Sequence, residues 1–264
     1  MSISNLKSKF SRVGVISSIV LGGVSFNAFS QLAPPVAPSE NPVTENKRVL
    51  GKILFWDRQL SSNNRVSCGS CHSPNAGGAD NRRGQHPGAD GLFDSPDDVI
   101  GSPGIVSIDQ NGNLLSHPFF GLNRQVTNRA APTVIMAAYS QEQFWDGRAG
   151  QTFIDPVNQS IEITSGASLE SQAIAPILND VEMAQQNRQW QNVISKLETA
   201  IPLARANTIP QDMQSALAIN VNYPALFNAA FGNSEITVSK IAMAIATYER
   251  TLIADQTPWD KSTI

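Results

Sequence analysis

Apolar residues recur at helical spacing in three stretches of this chain and alternate almost nowhere. In residues 47–57, Val49, Leu50, Ile53 and Leu54 fall on one face of a short amphipathic helix. Trp190, Val193, Ile194 and Leu197 recur at i, i+3, i+4 and i+7, and Ile241, Ile245, Tyr248 and Leu252 at i, i+4, i+7 and i+11. The second half is therefore read as helical, with Thr237 or Ser239 capping the last of these helices. No extended run alternates, and residues 105–108 and 161–164 predict a small hairpin at most. Residues 73–128 are rich in Gly, Pro, Asn and Asp, with turn signals at Asp90-Gly91, Asn111-Gly112 and Ser102-Pro103-Gly104. So long a stretch without periodicity is functional, disordered, or organised by something other than secondary structure. The pattern predicts a mostly α fold with long irregular loops.

The beginning of the chain reads differently. Lys7, Lys9 and Arg12 precede an apolar run from Val13 to Phe26 that is too short to span a bilayer, and Ala28-Phe29-Ser30 offers small residues for cleavage. Residues 1–30 are thus expected to be a secretory signal peptide. Residues 31–46 contain four prolines and no apolar period, which predicts a linker before a domain spanning 47–264. Composition narrows the function classes. The chain is 264 residues long, 41% hydrophobic and 16% charged, a globular balance. Removing residues 1–30 takes away three cations and no anions, leaving 16 basic against 22 acidic residues, a net charge of −6. Such a surface argues against a nucleic-acid partner.

The only two cysteines stand in Cys68-Gly69-Ser70-Cys71-His72, a CxxCH motif. In an exported protein two thiols could form a disulfide, act as a redox pair or supply half a zinc site. Zinc needs four ligands, and the other histidines are only His86 and His117. A thioredoxin-like motif belongs in a βαβ pattern that is absent here. Covalent c-type haem attachment fits directly: thioethers at i and i+3 fix the macrocycle and the adjacent imidazole ligates its iron. A haem would also organise the irregular middle. Its chemistry depends on the sixth ligand, for which Met136, Met183, Met213, Met243, His86 and His117 are available. Met213 and Met243 sit in apolar helical patterns and read as core filler.

Several strings then form an ordered set. Leu50-Gly51-Lys52-Ile53-Leu54-Phe55-Trp56-Asp57, the CxxCH, Gly77-Gly78-Ala79-Asp80, Arg129-Ala130-Ala131-Pro132-Thr133-Val134, Gln143-Phe144-Trp145-Asp146-Gly147-Arg148-Ala149 and Val181-Glu182-Met183 succeed one another. With the tail from Tyr223-Pro224-Ala225-Leu226-Phe227 to Tyr248-Glu249-Arg250-Thr251-Leu252, this resembles the N-terminal haem domain of the bacterial dihaem cytochrome c peroxidases and their MauG relatives, over residues 45–262. The resemblance implies a cytochrome c-like domain in the periplasm that reduces hydrogen peroxide with electrons from a small donor such as a cytochrome c or cupredoxin. It implies His72 as proximal ligand and His86 as distal histidine, with His117 as a rival. Glu182 is then the acid/base carboxylate, Gln172 a pocket glutamine, and Trp145 the tryptophan between two haems. A homodimer is an assembly the resemblance allows. A monohaem electron carrier without peroxidase activity and a MauG-like oxidase of another substrate are the alternatives.

The chain also departs from the family at three places. There is one CxxCH, and the chain stops at Ile264, about where the family's second haem domain begins; Trp259-Asp260-Lys261 reads like the start of the interdomain connection, so a fragment that lacks the second haem is expected. Ala130 stands where the family carries a calcium-binding Asn, which bears against calcium. The segment between Gly91 and Leu122 and residues 150–168 read as insertions that enlarge the distal loop.

Overall fold

A computed structural model describes residues 32–262; the expected signal peptide lies outside them. Residues 32–255 form one compact unit. Its helices are α1 (Glu45–Trp56), α2 (Cys68–Cys71), α3 (Ser168–Ala173), α4 (Ala175–Leu178), α5 (Trp190–Thr199), α6 (Gln211–Ile219), α7 (Tyr223–Phe231) and α8 (Val238–Glu249). A short helix, α9 (Pro258–Ser262), falls outside that unit. Six short strands, β1 (Gly84–His86), β2 (Val99–Gly101), β3 (Pro103–Val106), β4 (Arg124–Val126), β5 (Phe153–Ile154) and β6 (Ile161–Ile163), pair as three antiparallel ribbons β1–β2, β3–β4 and β5–β6. The two expected hairpin stretches thus appear as β3 and β6, each with a partner, while the β1–β2 ribbon had no alternation to announce it. No described helix is long and apolar enough to cross a membrane.

The core is built where α1 crosses α8. Thr44 caps α1 by accepting the Lys47 N–H, and Leu50, Ile53, Leu54 and Phe55 are buried on its inner face against Ile241, Ala244 and Ile245. A Cβ at Gly51 would overlap the carbonyl oxygen of Ala244, so only glycine lets the two backbones approach this closely. Helix α8 is capped by Thr237, one of the two expected residues, and is buried nearly all round because α1 and α3 both pack on it. Asp57 ends α1 and ties it to later segments: its carboxylate accepts from Gln59 N (2.8 Å), Leu203 N (2.7 Å) and the Tyr223 hydroxyl (2.7 Å).

The stretch expected as a linker is partly built into this core. Helix α1 begins at Glu45 rather than Lys47, and Asn41 is fully buried, donating to Glu170 (2.7 Å) and to the Met243 carbonyl (2.9 Å). Arg250 grips the same Glu170 through two 2.7 Å hydrogen bonds, and Lys47 donates to Asn41 (3.1 Å). The physical reason is satisfaction of charge: a buried carboxylate needs every available donor, and Asn41 supplies one from the arm.

Candidate functional site

The CxxCH motif folds as the single turn α2, which brings the side chains at i and i+3 to one side. Ser67 opens the turn, and the Ser70 hydroxyl accepts the Ser67 N–H at 2.9 Å. Both thiols are free and half-buried. Burial, with Glu249 nearby, pushes Cys68 far above the usual thiol range; burial takes Cys71 up to about 11 against the opposing pull of Arg82. The Arg82 guanidinium lies 3.1 Å from the Cys71 sulfur while its Nε and Nη2 hold Asp80 at 3.0 and 2.8 Å.

His72 closes the turn. Its Nδ1 lies 3.0 Å from the Pro132 carbonyl and 3.2 Å from the Gly78 carbonyl. Both neighbours only accept, so Nδ1 carries the proton and donates, and Nε2 is left with its lone pair. Burial lowers the imidazole's proton affinity against the smaller opposing effect of these two bonds, which favours the neutral ring. A metal-binding histidine is held in this way, its second nitrogen given to a carbonyl.

Cys68, Cys71 and His72 face an open cleft, about 420 Å³ counted with its solvent-filled mouth, whose lining also includes Gln172, Glu182, Met183 and Glu249. Gln172 comes from α3. Glu182 is placed by a tight turn after α4, where Asn179 Oδ1 accepts the Val181 and Glu182 N–H groups at 2.9 and 3.2 Å. Strand β3 braces that turn through Ile105 N to Val181 O (3.0 Å), and Gly104 is required there because a Cβ would overlap the same Val181 oxygen. Burial raises the affinity of Glu182 for its proton, partly countered by Arg148.

The structure therefore brings Cys68, Cys71, His72, Gln172 and Glu182 to one pocket. It places three other sequence candidates elsewhere. His86, on β1, accepts the Gly88 N–H at its Nδ1 (3.2 Å) and packs on Phe120; His117 packs on the same Phe120 ring, centroids 5.1 Å apart. Neither lines the pocket. Trp145 is 75% exposed, with the Arg129 guanidinium 4.8 Å over its ring. Of the methionines, Met183 lines the pocket, Met213 is core, Met243 packs against the core, and Met136 accepts the Ala254 N–H. Two residues escaped the sequence reading. Arg82 carries no signal beyond its charge. Glu249 did have one, since it stands four residues after Ile245 and so shares the inward face of α8. It is 4% exposed, its Oε2 has no hydrogen-bond partner among the described residues, and burial, with Glu170 adding, pushes it up to about 8.

Two thiols one turn apart, an imidazole with its far nitrogen clamped, and a shared pocket are a donor set that fits covalent haem attachment. Among the described residues no three His, Cys, Asp or Glu side chains gather as ligands of a bare metal ion. That donor set is the one that c-type haem attachment uses. This chain belongs to the di-haem cytochrome c peroxidase family, whose model it matches over residues 45–263. It is 30% identical over 224 residues to cytochrome c peroxidase Ccp of Escherichia coli, covering 85% of this chain and 32% of that protein. It is 24% identical over 254 residues to the methylamine utilization protein MauG of Methylophilus methylotrophus, covering 94% of this chain and 54% of that one. A crystal structure of a MauG-like protein associated with microbial copper homeostasis is similar at a TM-score of 0.47 and 22% identity, over 87% of this chain and 47% of the other. The chain thus spans from about a third to about half of the length of the relatives it matches.

Proposed function

We propose that this chain is the peroxidatic part of a dihaem peroxidase: a cytochrome c-like domain, exported to the periplasm through residues 1–30, that reduces hydrogen peroxide to water with electrons from a small cytochrome or cupredoxin. The observation that supports it is the meeting of Gln172 and Glu182 with Cys68, Cys71 and His72 at one pocket. Cys68 and Cys71 would hold the haem as thioethers and His72 Nε2 would ligate its iron. When bound, the haem would supply the redox chemistry by which peroxide is reduced, with the two electrons coming from the donor.

The rest belongs to this chain's side chains. Splitting the O–O bond heterolytically requires a base that takes the proton from one oxygen and returns it to the other, which then leaves as water. Glu182 can do both, because burial brings its proton affinity closer to neutrality while Arg148 keeps the ionised form accessible. The Gln172 amide can donate to a peroxide oxygen and hold it in line. The pocket walls Val66, Ala173, Pro176 and Ile245 keep bulk water from the carboxylate. His86 and His117 lie away from this pocket and carry no step of it. Trp145, exposed and stacked on Arg129, is the proposed point of electron arrival. The test is rapid mixing of the reduced, haem-loaded protein with hydrogen peroxide. Reaction in the wild type that Glu182→Gln slows, with haem content unchanged, supports the reading. No reaction in the wild type would make this an electron carrier, and oxidation of an organic or protein substrate in preference to donor turnover would make it a MauG-like oxidase.

A further inference from the structure

We propose that Arg65 and Arg124 hold the carboxylates of the haem that Cys68 and Cys71 attach, an assignment that rests on the haem reading above. The pocket at the CxxCH turn contains no cation: its ionisable lining is Glu182, Glu249, His72 and the two thiols. A c-type haem brings two propionate carboxylates on the edge opposite the vinyl groups that the cysteines take. Carboxylates withdrawn from water need cationic or hydrogen-bonding partners, and arginine meets them in bidentate geometry. Two nearby cations are already engaged. Arg82 sits at the Cys71 sulfur, on the thioether edge, and is held by Asp80; Arg148 is paired with Asp146 at 2.8 Å.

A second open cleft, about 1,030 Å³ counted with its solvent-filled mouth, shares the Val66 wall with the first. Ile105, Leu114 and Leu122 give it an apolar surface, and Arg65 and Arg124 line it. Both arginines are exposed, and neither forms an ion pair among the described residues. The backbone from Arg65 runs without helix to Ser67, and the Arg65 and Val66 N–H groups both donate to the Ser61 hydroxyl, so Arg65 stands three residues, at most roughly 10 Å of chain, ahead of Cys68. That span is comparable with the width of a porphyrin. Arg124 lies opposite Val106 in the β3–β4 ribbon, the ribbon whose Gly104 and Ile105 brace the Glu182 turn. The two guanidiniums are thus carried by the segment that leads into the thioether turn and by the ribbon that supports the acid.

The experiment compares haem-loaded full-length wild type with Arg65→Gln, Arg124→Gln, the double variant, and the two lysine substitutions. The readouts are the propionate bending bands in the resonance Raman spectrum and the midpoint potential. Each glutamine should shift the bands and lower the potential, the double variant most, because removing a cation near the iron favours its more positive oxidised state. The lysines, which keep the charge and lose the fork, should move the bands while holding the potential. Unmoved bands in the double variant, or in both lysine variants if a glutamine variant loads no haem, overturn the proposal. So does loss of binding of an added organic acid such as benzoate with bands and potential unchanged, which would assign the cavity to a free carboxylate ligand. A wild type that carries no haem overturns the underlying haem reading and this assignment with it.

Discussion

Replacing Glu170 with glutamine should destabilise this protein more than almost any other change of similar size. Glu170 has no exposed surface and accepts three hydrogen bonds, two from Arg250 and one from Asn41, all at 2.7 Å. Lys47 adds a second cation to the cluster, relayed through the Asn41 side chain at 3.1 Å. Glutamine keeps the shape and removes the charge, and it turns one of its two oxygens into an NH₂ group that points at donors. Arg250, 4% exposed, is then a buried cation without its carboxylate, left with one amide oxygen and the Gly166 carbonyl at 3.2 Å. Breaking one side of a buried pair costs about 3–5 kcal/mol, because the remaining charge is uncompensated. For a chain of this size that lowers Tm by roughly 6–20 °C. Urea denaturation of the haem-loaded protein measures it as a fall in the midpoint at constant slope. The double variant Glu170→Met/Arg250→Met, which removes both charges and keeps most of the volume, should lose much less than the two single changes added together. A cost below about 1 kcal/mol for Glu170→Gln, or a double variant as damaged as the sum of the singles, would refute the argument that uncompensated charge sets the penalty.

Three further outcomes can be checked. Glu182→Gln should leave haem content intact and slow peroxide reduction by roughly two to four powers of ten, the usual worth of a positioned acid/base; an unchanged rate removes Glu182 from the chemistry. Gly51→Ala should cost about 1–3 kcal/mol or more in a thermal melt, since α1 and α8 must part to admit a methyl group. The acid Glu249 holds its proton up to about pH 8 in the fold, against 4.5 for an ordinary glutamate. Between those values the unfolded chain binds fewer protons than the folded one, so stability should decline as pH rises from about 4.5 to 8 and level off above. Glu249→Gln should flatten that slope, which a series of denaturation curves across this range would show.

What could be read from the sequence divides along a physical line. Helices α1, α5 and α8 were legible because burial of one face imposes the i, i+3, i+4 rhythm on the residues themselves. The CxxCH wall of the pocket was legible because Cys68, Cys71 and His72 lie together in one short motif. Glu182 and Gln172 were not legible from chemistry alone; each is one acid or amide among many, and only their order relative to the other strings, through the family resemblance, singled them out. Asn41 could not be found at all, since its reason for being buried is a carboxylate 129 residues away. The β1–β2 ribbon was equally hidden, for Gly84, Gln85 and His86 have no apolar alternation to display. Glu249 is the instructive omission: its place on the apolar face of α8 was in plain view, and a charged residue at an inward position is itself a signal that something unusual is accommodated there.

The crossing of α1 over α8 has a consequence for how this domain can vary. The two helices are far apart in the chain and meet at Gly51 and Ala244, so nearly everything between them is one long excursion whose ends are stapled together by a tight backbone contact. Once such a staple exists, lengthening the excursion adds little entropic cost, about 0.6 kcal/mol for each doubling of a flexible loop. The segment between Gly91 and Leu122 lies within that excursion, away from the staple. Growth there leaves the crossing untouched, which makes the irregular middle the part of the molecule free to acquire new surfaces while the helical frame stays as it is.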